Sequence, residues 1–287
     1  MTRRLICLLL TLALTQLVQA QAPGGTLQRV AESGVLTIGY VPDAPPMSFD
    51  DENGKPTGYS IALCRHVANA VKTAVGLDKL EIRYVPLISP DDRLRAVQDH
   101  SVDIECGATT VTLSRRELVD FSLMTFITGA AVVSLKSKPI HSVEDLSGKT
   151  VAVIKGTTTE ARLRNFITNN DYKIKLRTIA THNEGMQLLL VGKVDGYASD
   201  RAMLIGLVSH SAERAKFALT RDVFSFEPYA LMLPRGDTNF RLVTDRALAS
   251  LYRDARIRRL YQDWFGRYGE PITPVLEAMF EFQAVAE

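Results

Sequence analysis

Residues 151–160 read Val-Ala-Val-Ile-Lys-Gly-Thr-Thr-Thr-Glu. Four apolar residues make a short buried strand, Gly156 turns the chain, and Thr157 with Glu160 stand at the spacing of a helix capping box. A strand, a glycine turn and a capped helix form the half-unit of an α/β sheet. The unit recurs on both sides. Downstream, a strand over Ile174–Thr178 leads to a helix over Thr181–Val191, with Thr181 and Glu184 again at capping-box spacing, and a strand over Val194–Ser199 leads through Asp200 to a helix at Arg201–Val208. Upstream, strands are expected at Val35–Tyr40, Leu80–Pro86 and Val102–Cys106, and helices at Ile61–Val75 and Asp91–Asp99. Asn53-Gly54 marks a hairpin turn between Met47–Asp50 and Thr57–Ser60. Ser114 and Glu117 predict a helix starting near Arg115. The pattern breaks near Leu123–Gly129, restarts with the strand-like Thr128–Leu135, and breaks again near Phe224–Leu231; Phe240–Phe265 closes the chain at helical spacing. This predicts two α/β units, each with a mostly parallel sheet, joined by two crossings.

The first twenty residues stand apart. Arg3-Arg4, the apolar run Leu5–Leu14 and Val18-Gln19-Ala20 make a signal peptide, with Gln21 rather than cysteine at the start of the exported chain. The exported product is expected to be a soluble periplasmic protein. Without Arg3 and Arg4 the 34 basic residues fall to 32, equal to the 32 acidic ones. A balanced chain carries no electrostatic footprint for nucleic acid or a membrane surface. Cys64 and Cys106 remain after the leader; in an oxidising compartment they either pair or stay as two small buried residues. Neither Cys-x-x-Cys nor zinc-type spacing occurs, so no metal or cofactor is expected.

In open α/β sheets, ligands bind outside the carboxyl ends of the strands. Four such junctions carry hydroxyls or charge: Ala108, Thr109, Thr110 and Arg115; Gly156–Glu160; Thr181–Glu184; and Asp200. Helix N-termini offer free N–H groups to an anion, and arginine matches a carboxylate with a planar fork. Arg115 from one unit and Asp200 from the other would hold carboxylate and ammonium, the two groups of an α-amino acid. The simpler reading of Asp200 is an N-cap for the helix at Arg201. Ser147-Gly148-Lys149-Thr150 imitates the end of a P-loop but precedes a strand and lacks the upstream glycine, where Val143 stands.

The ordered set Gly34–Gly39, Pro46-Met47-Ser48-Phe49, Gly58-Tyr59-Ser60, Asp103–Thr110, Arg115, Asp120-Phe121-Ser122, Asp145–Lys149, Gly156-Thr157-Thr158, Asp200 and Trp264-Phe265 resembles the family 3 periplasmic amino-acid-binding proteins of ATP-driven (ABC) importers. The resemblance covers nearly the whole exported chain. It implies a two-lobe periplasmic-binding-protein-like fold (type II) with two crossing strands as hinge: residues 27–127 begin lobe 1, 128–228 form lobe 2, and 229–287 return to lobe 1. It implies a monomeric receptor that captures one amino acid and delivers it to an inner-membrane permease. Matched by position, Arg115 takes the α-carboxylate with the help of Thr110 and Thr157, Asp200 takes the ammonium, and Thr158 is a further ligand-binding residue. Glu105-Cys106-Gly107, Arg93 and His182 are most similar to the glutamate/aspartate-binding branch, where Arg93 and His182 face the ligand side chain. Two positions depart from that branch: Ala108 stands where a serine is common, and Val41-Pro42-Asp43 lacks a basic residue. The alternative on the same fold is a periplasmic dehydratase acting on prephenate-like or arogenate-like acids, with Glu105 or Glu160 as general acid.

Overall fold

The computed structural model describes residues 25–170 and 172–286; the leader expected at 1–20 lies outside them. The chain runs α1 (Thr26–Ser33), β1 (Val35–Tyr40), β2 (Asp43–Ala44), β3 (Ser48–Asp50), β4 (Pro56–Thr57), α2 (Tyr59–Ala74), β5 (Glu81–Pro86), α3 (Pro90–Gln98), β6 (Ile104–Glu105), α4 (Leu113–Arg116) and β7 (Asp120–Thr128). It continues through β8 (Ala130–Leu135), β9 (Thr150–Ile154), α5 (Thr158–Asn170), β10 (Lys175–Ile179), α6 (His182–Leu190), β11 (Gly196–Asp200), α7 (Arg201–His210) and β12 (Phe217–Leu219). It ends with β13 (Glu227–Leu233), α8 (Thr238–Arg253), α9 (Arg256–Phe265) and α10 (Pro274–Phe282).

Two five-stranded sheets result, ordered β5-β1-β6-β13-β7 and β10-β9-β11-β8-β12. Each holds three parallel strands, as the strand–helix alternation predicts. Each also holds two strands in antiparallel pairing, so the sheets are more mixed than the sequence suggested. The reason is connectivity. The chain leaves the first sheet along β7 and enters the second along β8; it returns from β12 to β13. Strands on that path meet their neighbours head to tail.

The two crossings touch. A Cβ on Gly129 would lie 2.3 Å from the Ser225 carbonyl oxygen, so only glycine lets the backbones approach this closely. Ala130 N–H donates to Ser225 Oγ at 2.9 Å and Phe224 N–H to the Ala130 carbonyl at 2.9 Å. In the first unit, Phe126 of β7 stacks on Phe265 of α9 at 4.8 Å between centroids. Tyr59, fully buried at the start of α2, donates to the Thr125 carbonyl at 2.9 Å. Aromatic stacking of this kind adds about 0.5–1.5 kcal/mol beyond area burial, so β7 is anchored to the helical layer. In the second unit Val151, Ala152 and Val153 are wholly buried between helices, as expected of a strand covered on both faces.

Cys64 and Cys106 are joined, with 6.3 Å between their Cα atoms. The bond ties α2 to the loop that follows β6. Three expectations are corrected. Thr112, not Ser114, caps α4: its extended backbone lets its hydroxyl accept from the Arg115 N–H at 3.1 Å. The closing helical run is two helices, broken where Ala255 adopts a left-handed conformation with φ of 55°. And Asp200 is not a side-chain cap for α7, because its carboxylate is engaged elsewhere.

Candidate functional site

The carboxyl ends of β1, β5 and β6 face those of β9, β10 and β11 across a cleft with about 600 Å3 of atom-free space, part of it open to solvent. Arg93, Ala108, Thr110 and Arg115 line it from the first sheet's side, and Thr157, Thr158, His182 and Asp200 from the second's. All eight residues singled out in the sequence therefore meet at one place. They do so because each sits at a strand-to-helix junction, where the chain must turn back over the sheet edge.

Around Arg115 a guanidinium, hydroxyls and helix amides come together. The first turn of α4 brings its guanidinium back over the loop, where Nη1 donates to the Thr110 carbonyl at 2.8 Å. Burial, then the neighbouring Arg93 cation, lower its proton affinity, opposed by Glu105, Glu227 and Asp200; a guanidinium stays charged even so. Opposite lies the N-terminal turn of α5, with its unsatisfied amides and dipole. Thr110 Oγ1 and Thr158 Oγ1 each donate at 2.7 Å to the same oxygen of Glu227. Glu227 is buried, and its other oxygen accepts from Ser225 Oγ at 2.6 Å. The Thr157 hydroxyl is committed to its own turn: it donates to the Ile154 carbonyl at 2.8 Å and accepts from Glu160 N–H at 3.1 Å.

Asp200 ends β11. Thr159 Oγ1 donates to its Oδ1 at 3.0 Å, and the Tyr229 hydroxyl donates to Oδ2. Burial, reinforced by the nearby Glu227 charge, raises its pKa to about 6. A buried carboxylate so placed favours a cation.

The third part of the cleft holds Arg93, His182 and Asp43. Arg93 Nη1 donates to Thr109 Oγ1 at 3.2 Å and lies 3.8 Å from Glu105 Oε1. Glu105 is wholly buried, and burial pushes its carboxyl up against the pull of Arg93. Arg93 Nε and Glu105 Oε1 are buried without a hydrogen-bond partner among the described residues. Nδ1 of His182 is 2.7 Å from the Tyr197 hydroxyl, and burial holds its proton affinity below that of a free imidazole. Asp43 accepts from the Asn183 N–H of α6 at 3.1 Å, a contact from one unit to the other.

Sequence reasoning missed Glu227 and Tyr229, and named Thr159 only as part of the Gly156–Glu160 junction. Glu227 and Tyr229 fall inside the second predicted crossing, where no local pattern marks them. The two acids considered as general acids do not line the cleft. Glu105 lies behind Arg93, while Glu160 accepts from Gly156 N–H at 2.7 Å and pairs with Arg164 at 2.7 Å.

Known proteins share both sequence and fold. The chain is 34% identical over 253 residues to an L-glutamate/L-aspartate-binding protein of Pseudomonas aeruginosa, covering 87% of this chain and 82% of that one. It is 29% identical over 257 residues to a glutamate/aspartate import solute-binding protein of Salmonella typhimurium, covering 89% and 83%. Among solved structures, it resembles a solute receptor for L-cysteine of Neisseria gonorrhoeae with a TM-score of 0.75 and 28% identity, covering 88% of this chain and 98% of that one. Residues 36–267 match the family of bacterial extracellular solute-binding proteins, family 3. With a mixed α/β fold, two sheets joined by paired crossings and a charged cleft between them, this chain belongs to that family.

Proposed function

We propose that the protein is a periplasmic receptor that closes over one amino acid of the glutamate/aspartate class and delivers it to an ABC permease. The observation that carries this reading is the placement of Arg115 and Asp200, opposite charges from separate sheets, on one cleft. An α-amino acid presents the complementary pair. Arg115 and the open amides of the first turn of α5 take the α-carboxylate, and Asp200 takes the ammonium, while the Thr110 and Thr158 hydroxyls remain on Glu227. Arg93 and His182 face the side chain. Residues 27–127 with 229–287 act as one lobe and 128–228 as the other, moving about the paired crossings. A ligand that bridges both lobes favours the closed form by its differential affinity.

Micromolar affinity corresponds to about −8 kcal/mol, within reach of two desolvated charge pairs and a set of neutral hydrogen bonds. The relatives bind glutamate and aspartate, as their descriptions state. A thermal-shift screen against the twenty amino acids, followed by calorimetry on the hits, tests the proposal, since a ligand that binds only the folded state raises the Tm. Stabilisation by glutamate or aspartate is expected. No response to any amino acid would overturn the reading.

A further inference from the structure

Asp43 is the residue of the cleft for which the glutamate/aspartate reading has no use. It belongs to β2, lines the cleft, and is held by the N–H of Asn183 at 3.1 Å. Among the described residues no second hydrogen bond reaches its carboxylate. It shares the side-chain end of the cleft with Arg93 and His182: both Asp43 and Arg93 act on His182, with opposite sign.

The charges at that end do not suit a free carboxylate. Arg93 is the only arginine or lysine among the cleft's lining residues besides Arg115, and it is already compensated by Glu105 behind it. His182 is half-buried; desolvation lowers its proton affinity, against the pull of Asp43 and with the help of Arg93, so it is disposed to be neutral. A side-chain carboxylate would accept from Arg93 and face Asp43 as a like charge, which costs affinity. A carboxamide carries an acceptor oxygen and two N–H donors. Its oxygen answers the Arg93 guanidinium and its N–H groups answer Asp43. Ala108 adds no hydroxyl that would favour either.

Resting on the amino-acid reading above, we infer that Asp43 adapts the side-chain end of the cleft to carboxamides, so that the ligand class is the acidic amino acids together with their amides. Specificity is a difference of two affinities, and Asp43 sets that difference.

The experiment is titration calorimetry of the wild-type protein and Asp43→Asn with L-glutamate, L-glutamine, L-aspartate and L-asparagine. Asparagine keeps an acceptor for the Asn183 N–H, so the contact between units survives and only the charge is lost. In the wild type the better amide binds within about tenfold of the better acid, or more tightly; tenfold is 1.4 kcal/mol. In Asp43→Asn the ratio moves toward the acids by about tenfold or more. A wild type that prefers the acids by more than that margin, or a ratio the substitution leaves unmoved, overturns the role of Asp43. Failure of all four to bind would instead sink the glutamate/aspartate reading beneath it.

Discussion

Glu227 Oε2 accepts a hydrogen bond from Thr158 Oγ1 at 2.7 Å. Glu227 is the first residue of β13 in one sheet, and Thr158 is the first residue of α5, which follows β9 of the other. The same oxygen accepts from Thr110 Oγ1 at 2.7 Å. One buried carboxylate at a crossing thus aligns two hydroxyls that reach the cleft from opposite sides. Burial raises the pKa of Asp200, and the Glu227 charge adds to that rise. The crossing and the cleft are therefore parts of a single polar network, in which changing one member moves the others.

Arg115→Ala is expected to remove amino-acid binding while leaving the fold intact. Truncating one partner of a desolvated charge pair costs about 2–5 kcal/mol, because the other charge is stranded. That corresponds to roughly 30- to several-thousand-fold in Kd. Calorimetry checks the loss and circular dichroism checks the fold. Affinity within threefold of the wild type, taken as about 0.6 kcal/mol, would remove Arg115 from the site.

Binding should weaken in mild acid. The Asp200 pKa of about 6 stands above the ordinary 3.8. For folding, the sign is that of a raised carboxyl: the stability it contributes is fully present below 3.8 and is lost as pH rises through about 6. For binding, the sign is opposite. An ammonium needs the carboxylate, so below pH 6 the ligand must first displace a proton. The groups around it are Glu227, which raises its pKa, and Tyr229, Thr159 and Arg115, which lower it. Affinity at pH 5 is expected to be about tenfold below that at pH 7.5, with proton release visible in buffers of different ionisation enthalpy. Glu227→Gln removes a like charge and shifts the midpoint of this loss to lower pH. A flat profile from pH 5 to 7.5 in the wild type contradicts the role of Asp200.

Replacing both Cys64 and Cys106 with serine is expected to lower the Tm by several degrees. The bond closes a loop across a sequence separation of 42 residues, and a cross-link of this kind stabilises by about 2–4 kcal/mol, chiefly by restricting the unfolded chain. Cys106 also adjoins the loop bearing Ala108 and Thr110, so some loss of affinity accompanies the loss of stability. An unchanged Tm in the double variant, or on adding a thiol reductant to the wild type, contradicts this account.

Much of the cleft was legible because its residues carry local signals. Thr157, Glu160, Thr181 and Glu184 mark helix starts, and helix starts at strand ends mark the ligand face. Arg115 was legible as a cation out of place at a helix N-terminus, although Thr112 rather than Ser114 caps that helix; two hydroxyl residues two positions apart compete for one cap, and backbone geometry decides. Glu227 was not legible, since its meaning comes from Thr110, 117 positions away. The strand β7 was read as a seam because its partner, β13, lies a hundred residues downstream in the chain and no local pattern announces the pairing. The helix break at Ala255 has no glycine or proline to mark it; tertiary packing imposes it on a residue of high helix propensity.

The last prediction concerns closure itself. Gly206 lies on α7 of the second unit, against the loop between β2 and β3 of the first. A Cβ there would stand 2.2 Å from the Pro45 carbonyl oxygen and 2.7 Å from Pro46 Cδ. The obstacle is backbone and ring, so it does not yield by a rotamer change. It belongs to the contact between units, not to the interior of either, and Gly206 sits in a helix, where alanine is favoured over glycine by up to about 1 kcal/mol. Gly206→Ala should therefore leave the ligand-free Tm unchanged or slightly raised. It should weaken amino-acid binding about fivefold or more, because overpacking costs about 1–3 kcal/mol and the cost falls on the form in which α7 meets the Pro45–Pro46 loop. Small-angle scattering with saturating ligand should report a larger radius of gyration than for the wild type. A variant with lowered ligand-free Tm and normal affinity would place the strain inside one unit, and the contact between α7 and the Pro45–Pro46 loop would then not be what opens and closes.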